Sequence, residues 1–235
     1  MPGPHVLAHR GYAVGAPENS VGAFEAALSA GATHIETDVH LTQDQVVVLF
    51  HDDELDGRRI GTYLKSELPA HVPALKDVLA GFPETRFNID IKDPAASVPT
   101  ADIIRAHNAD SRVLIASFSS RRRRVTANLL NNVAQSAGSA EFAMALIAAK
   151  LRQGWLVRRA LRYVDALQIP PRIGWLKTVT ESTMQLFSSA GVVVHVWTIN
   201  DADEMSRLTR LGVHGVVTDE TAIAVKTLRT PLASS

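Results

Sequence analysis

Short apolar, β-branched runs alternate with amphipathic stretches along most of this chain. The runs predict strands at Val6–His9, His34–His40, Arg86–Ile91, Val113–Ser117, Val133–Ser136, Ala166–Ile169, Val192–Ile199 and Gly215–Thr218. Between them the spacing predicts helices at Ser20–Ala30, Ala74–Ala80, Thr100–His107, Glu181–Ala190 and Ala202–Leu211, with a last one from Thr221. Gly31 and Gly81 follow the first two as helix stops. Residues Glu141–Arg162 read as one long helix. Val46–Phe50 breaks the alternation. It follows the second strand after only Thr42–Gln45, too short for a helical crossover, so it should return antiparallel as a hairpin-like extension.

Eight strand–helix units in 235 residues give about 29 residues per unit, which fits a compact (β/α)8 barrel. The competing doubly wound sheet would bring a Gly-rich phosphate turn after an early strand, and no G-x-G-x-x-G occurs. No linker or low-complexity segment interrupts the pattern, so residues 1–235 are read as one α/β domain.

Composition narrows the function. Lys and Arg number 24 against 24 Asp and Glu, so the chain lacks the basic surplus of a nucleic-acid partner. The absence of cysteine excludes a thiolate nucleophile and a zinc–thiolate site. No apolar run approaches the roughly 18–20 residues of a membrane span, and only five residues precede the first strand. The expectation is a soluble, cytoplasmic protein without a transmembrane segment; peripheral membrane contact and oligomeric state stay open.

In a barrel of this kind, chemistry belongs at the C-terminal strand ends, and polar residues gather there. His9 and Arg10 close the first strand. Glu36 and Asp38, two apart, share one face of the second, and Asn88, Asp90 and Lys92 share one face of the third. His51 and Asp52 end the extension. Three carboxylates directed into one interior repel each other and are poorly solvated, which a bound divalent cation relieves. All-oxygen ligation favours Mg²⁺ or Ca²⁺ over zinc.

These residues carry a resemblance. Ala8-His9-Arg10-Gly11, Pro17-Glu18-Asn19-Ser20, Ile35-Glu36-Thr37-Asp38-Val39, His51-Asp52, Asn88-Ile89-Asp90-Ile91-Lys92, Trp197-Thr198-Ile199-Asn200 and Gly215-Val216-Val217-Thr218-Asp219 resemble the glycerophosphodiester phosphodiesterase family. The match runs from the first strand to the last and is poorest over residues 119–165. The resemblance implies a TIM-type barrel with a short insertion after strand 2. It further implies a phosphoric diester hydrolase that splits small glycerophosphodiesters to glycerol phosphate and an alcohol with a divalent metal. It places the catalytic histidines on His9 and His51 and the metal ligands on Glu36, Asp38 and Asp90. Arg10 and Lys92 take phosphate-binding places. Asp90 stands where the family usually has Glu, one methylene longer. Two histidines that titrate near neutral pH suit an acid–base pair, and a cyclic phosphate intermediate and direct attack by water both fit them.

Other features have blander readings. Arg121–Arg124 reads as a solvated helical face. Ala140–Arg162 reads as an amphipathic barrel helix, with contact to a lipid surface or acyl tail as the other reading. Trp197 could line the substrate mouth or fill the barrel core, and His40 and His195 are weaker inward-facing candidates behind the site. Hydrolysis of lysophospholipids, a catalytically silent phosphate-ester-binding barrel and an amidohydrolase-type barrel using Asp219 are the competing functions.

Overall fold

The computed structural model describes residues 3–229. Eight parallel strands form the barrel: β1 (His5–Ala8), β2 (His34–Leu41), β3 (Phe87–Ile91), β4 (Val113–Ala116), β5 (Ala134–Gln135), β6 (Ala166–Ile169), β7 (Val193–Val196) and β8 (Gly215–Thr218). Consecutive strands pair from β1 to β5 and from β6 to β8, and β8 pairs with β1 in the register His5↔Gly215 to Ala8↔Thr218. The seam between β5 and β6 closes through a parallel bridge, Ser136 to Ala166, and the Ala137 N–H donating to the Ala166 carbonyl at 2.8 Å. Val47–Leu49 pairs antiparallel with β2, as the short connection requires.

The helices are α1 (Val21–Ser29), α2 (Leu75–Gly81), α3 (Ser97–Ala106), α4 (Ser120–Ala127), α5 (Ser139–Lys150), α6 (Gly154–Leu161), α7 (Glu181–Ser189), α8 (Ala202–Arg210) and α9 (Thr221–Arg229). Ile35 and Val39 of β2 and Phe87, Ile89 and Ile91 of β3 point outward into one apolar cluster with Phe24 and Leu79 from the helices. A second cluster packs β6, β7 and β8 against α5 to α9. Alternation along β2 and β3 therefore sends Glu36, Asp38, Asn88 and Asp90 inward. A short insertion follows β2: the paired Glu54–Leu55 and Arg58–Arg59 and two 3₁₀ turns sit on a small core of Val48, Ile60, Tyr63, Leu68 and Val72. No helix among the described residues is long and apolar enough to cross a membrane.

Two expectations change. The long helix over Glu141–Arg162 is two helices, because Arg152 takes a left-handed φ of 55° and the chain restarts as α6 at Gly154. The Arg121–Arg124 face is not uniformly solvated. Arg123 is fully buried and donates to Glu141 Oε1 at 2.7 Å and to Gln135 Oε1. Glu141 also accepts from Ser120 Oγ and the Gly138 N–H, so α4 and the start of α5 are clamped around one buried ion pair. A Cβ on Gly138 would stand 2.6 Å from Ser120 Oγ, so only glycine admits this approach.

Candidate active site

The turn after β1 sets the first side chains. Arg10 and Gly11 both have positive φ, 54° and 86°, and a Cβ on Gly11 would stand 2.8 Å from the Ala23 Cβ. Glycine is therefore needed for the chain to turn this closely onto α1. The turn aims the Arg10 N–H at Glu36 Oε2, 3.0 Å away, while Ser20 caps α1 by accepting from the Ala23 N–H. Buried Asn19 links loop to strand: its Nδ2 donates to Asp38 Oδ2 at 3.2 Å, and its Oδ1 accepts from Thr37 Oγ1 at 2.6 Å.

Both predicted catalytic histidines are built alike. His9 Nδ1 lies 2.7 Å from Asp219 Oδ1, and His51 Nδ1 lies 2.7 Å from Asp52 Oδ1. A carboxylate on Nδ1 holds that nitrogen as the N–H and leaves Nε2 to exchange protons with a substrate. Asp219 is itself fixed by Asn200, whose Nδ2 donates to Oδ2 at 2.8 Å and whose Oδ1 accepts the Asp219 N–H. Partial burial alone would raise the Asp219 carboxyl, but hydrogen bonds from Asn200 and His9 outweigh it and hold it below its usual range.

The carboxylates meet because β2 and β3 pair Glu36 with Asn88 and Asp38 with Asp90. All three acids are more than nine-tenths buried. Lys92, two residues beyond Asp90 on the same face, places Nζ 3.0 Å from Asp38 Oδ1 and 2.9 Å from Asp90 Oδ2. Arg10 Nε lies 3.5 Å from Asp38 Oδ2, and its Nη1 donates to both oxygens of Glu18 at 3.0 Å. Among the described residues, no cationic side chain forms an ion pair with Glu36. Burial, then Asp38 and Asp90, push its carboxyl well above the normal range. Burial also raises Asp90, against the pull of Lys92. Burial would lower the Lys92 ammonium, yet Asp90 and Asp38 together keep it above its ordinary value.

Among the described residues, no three His, Asp or Glu side chains converge closely enough to hold a metal ion as they stand. The Lys92 ammonium occupies the space between Asp38 and Asp90. The donor set nevertheless fits a hard cation: Asp90 Oδ1 and Asn88 Oδ1 are buried with no hydrogen-bond donor among the described residues, close to the raised Glu36.

His9, Arg10, Glu36, Asp38, His51, Asp90, Lys92 and Trp197 all line one cavity of about 610 Å³ at the C-terminal mouth of the barrel. Its opposite wall is apolar: Phe118, Phe142, Leu146, Ile147, Ile173 and Trp197. Trp197 meets Phe118 edge-to-face, ring centroids 6.1 Å apart, so it belongs to the mouth. His40 stands behind the site, with Nε2 3.4 Å from the His51 carbonyl. His195 does not belong here. It faces the barrel interior at the N-terminal end, where its Nε2 lies 3.1 Å from His5 Nδ1.

Three supports go beyond what sequence reasoning finds. Asp219 and Asn200 as the anchor of His9 follow from β8 lying beside β1, a neighbour relation that barrel closure alone predicts. Asp52 as the partner of His51 is adjacent in sequence, and the signal there is only that a catalytic ring needs a group to fix it. Asn19, the link between the first loop and Asp38, gives no signal beyond its place in Pro17-Glu18-Asn19-Ser20.

Comparison with known proteins bears on the fold and the family. The model of the "Glycerophosphoryl diester phosphodiesterase family" matches residues 9–59 and 57–223. A protein of Mycobacterium tuberculosis named "Probable glycerophosphodiester phosphodiesterase 2" is 39% identical over 230 residues, covering 91% of this chain and 86% of that protein. The crystal structure of a glycerophosphodiester phosphodiesterase from Thermotoga maritima superposes with a TM-score of 0.78 at 24% identity, over 96% of this chain and 99% of that one. An Oleispira antarctica phosphodiesterase, solved with the product sn-glycerol-3-phosphate, gives 0.79 at 20% identity over 96% of each chain. Barrel, mouth and sequence thus lead to one conclusion: the chain belongs to the glycerophosphoryl diester phosphodiesterase family, a family of phosphoric diester hydrolases.

Proposed function

We propose that the chain, working as one barrel domain, hydrolyses glycerophosphodiesters to glycerol phosphate and an alcohol, with His9 and His51 as its acid–base pair. The observation that carries this reading is the twofold pairing of an imidazole Nδ1 with a carboxylate at the rim of one cavity that also holds Arg10 and Lys92. His9 Nε2 takes the proton of the glycerol hydroxyl next to the diester, and that oxygen attacks phosphorus. The P–O bond to the alcohol breaks, and His51, entering the step protonated, gives its proton to the departing oxygen. The roles then reverse. His51 takes a proton from water, which opens the cyclic phosphate, and His9 protonates the oxygen released from the ring. The sum is addition of one water. Arg10 presents a planar fork of donors to the phosphate oxygens, and Lys92 adds a second positive charge.

Glu36, Asp38 and Asp90 would hold a divalent metal, Mg²⁺ or Ca²⁺; their burial and the unpartnered Oδ1 of Asp90 support this. When bound, such an ion neutralises charge on the non-bridging phosphate oxygens. The shorter Asp90 is the ligand that distinguishes this set.

The apolar wall of the cavity favours a second substrate reading, in which the diester carries an acyl chain, as in a lysophospholipid. The test is glycerol-phosphate release from a panel of glycerophosphodiesters and one lysophospholipid, with EDTA, Mg²⁺ or Ca²⁺. Metal-dependent release that His51→Ala abolishes is expected. Phosphate-ester binding with no turnover of any member would replace the hydrolase by a silent binder.

A further inference from the structure

The apolar wall does not stop at the cavity. Ile147 and Ile173 line the cavity and are also 61% and 51% exposed. From Ile147 the apolar surface continues along α5 to Leu151 and into the first turn of α6 at Trp155, which are 63% and 59% exposed. From Ile173 it continues to the tip of a two-stranded hairpin, Arg172–Ile173 paired with Leu176–Lys177, where Trp175 is 93% exposed. The Lys150 ammonium donates to the Lys177 carbonyl at 2.7 Å, so helix and hairpin form one collar beside the mouth. Large side chains left in water at this density mark an interaction surface.

Charge says what the surface meets. Residues 144–155 and 170–177 contain Lys150, Arg152, Arg172 and Lys177 and no Asp or Glu, in a chain whose net charge is zero. All four cations are exposed. Glu204 of α8, the acid within electrostatic reach of Arg172 and Lys177, is already ion-paired with Arg207. Aromatic and aliphatic side chains on segments whose own charges are all cationic complement an anionic lipid surface: apolar groups enter the headgroup boundary while Lys and Arg meet phosphates. Trp175, at the hairpin tip, is the side chain placed to enter first.

We propose that this collar docks the barrel mouth onto an anionic lipid bilayer. Docking would set the catalytic mouth against the lipid headgroups. The inference goes beyond the proposed reaction and does not depend on it, since vesicle binding is read without turnover.

The experiment is co-sedimentation of the full chain with large unilamellar vesicles of phosphatidylcholine, alone or with 30 mol% phosphatidylglycerol, at low and at 0.5 M salt. Binding to the phosphatidylglycerol vesicles is expected at low salt, with a blue shift of tryptophan emission and release at high salt. Trp175→Ala should weaken binding about tenfold. The double variant Arg172→Gln/Lys177→Gln should weaken it about twentyfold. Both variants should keep wild-type turnover of a soluble glycerophosphodiester, because neither alters a cavity-lining residue. Absence of binding, equal binding to neutral vesicles, or binding indifferent to Trp175→Ala overturns the proposal. Concentration-dependent self-association that Trp175→Ala abolishes, without vesicle binding, would assign the collar to a second copy of the chain.

Discussion

The two ends of the barrel interior handle buried polar groups in opposite ways, and one strand serves both. The inward face of β2 carries His34 near the bottom, then Glu36 and Asp38 toward the mouth. At the bottom, the His34 ring lies 4.7 Å from His5 and 6.5 Å from His195, centroid to centroid. His5 and His195 share a hydrogen bond, and His34 Nδ1 meets Thr33 Oγ1 at 2.8 Å. Gly215 makes room, because a Cβ there would stand 2.7 Å from the His5 Cβ and 3.0 Å from His195. Burial, with the neighbouring rings and Arg86, lowers His5 and His34, the latter to about 3, and burial and the other histidines lower His195. The rings are therefore neutral at physiological pH, and the charge beside them stays on the exposed Arg86. At the mouth, burial raises Glu36 and Asp90, yet charges persist because Lys92 and Arg10 stand among the carboxylates. A fold can shed charge by releasing a proton from histidine. Retaining clustered charge in a dry place serves chemistry instead.

The largest effect should separate the histidines of the two ends. His51→Ala or His9→Ala is expected to lower glycerol-phosphate release by about 10⁴-fold with little change in melting temperature. His195→Gln, whose amide reaches where Nε2 stands, should leave kcat within about twofold, since the proposed acid–base pair lies at the mouth. Comparable losses in both places would break the division. Next in size is Asp219→Asn. An amide that donates to His9 Nδ1 forces the wrong tautomer and blocks Nε2 as base, so a fall in kcat of about 10²–10³-fold is expected with KM little changed. Rate–pH profiles of this variant would show whether the His9 limb is the one lost.

Stability should respond in the reverse sense. Glu36→Gln removes one of three crowded carboxylates, so in metal-free buffer the variant should be more stable than the parent by about 1–3 kcal/mol. Metal should narrow that gap, because a bound ion stabilises only the chain that retains its ligands. Urea unfolding with EDTA and with excess Mg²⁺ or Ca²⁺ measures both. A destabilised metal-free variant would mean that Glu36 is a satisfied structural carboxylate.

Legibility in the sequence follows the range of the interactions. The faces of β2 and β3 are readable because a period of two is local, and that period alone sets Glu36, Asp38 and Asp90 on the inward side. The antiparallel extension follows from a connection too short for a helix. What stays hidden depends on contacts distant in sequence. The Asp219 anchor of His9 spans 210 residues and exists only because the barrel closes. Arg123 reads as one of four solvated cations, and only Glu141, eighteen residues on, explains its burial. The break between α5 and α6 rests on the left-handed backbone at Arg152, which side-chain periodicity does not register. The inward direction of His195 is legible from its strand, but its depth in the barrel comes from its register beside Gly215 and Gln168.

The smallest effect is a slope, and it isolates the bottom. His5 and His195 have lowered values in the folded state, while an unfolded chain takes up protons near the usual 6.5. Below that pH the unfolded state binds protons that the folded state refuses. Their stabilising contribution is therefore complete above about pH 6.5 and is lost as pH falls toward the folded values, by at most about 1.4 kcal/mol per pH unit for each ring. Glu36 acts in the opposite direction, because a raised carboxyl is relieved as pH falls. The comparison is best made in the Glu36→Gln background, where that opposing contribution is gone. Unfolding free energies between pH 7 and 5 should fall less steeply in Glu36→Gln/His195→Gln than in Glu36→Gln alone. Equal slopes would mean that His195 keeps an ordinary affinity for protons, and the bottom of the barrel would then be as charged in acid as the mouth.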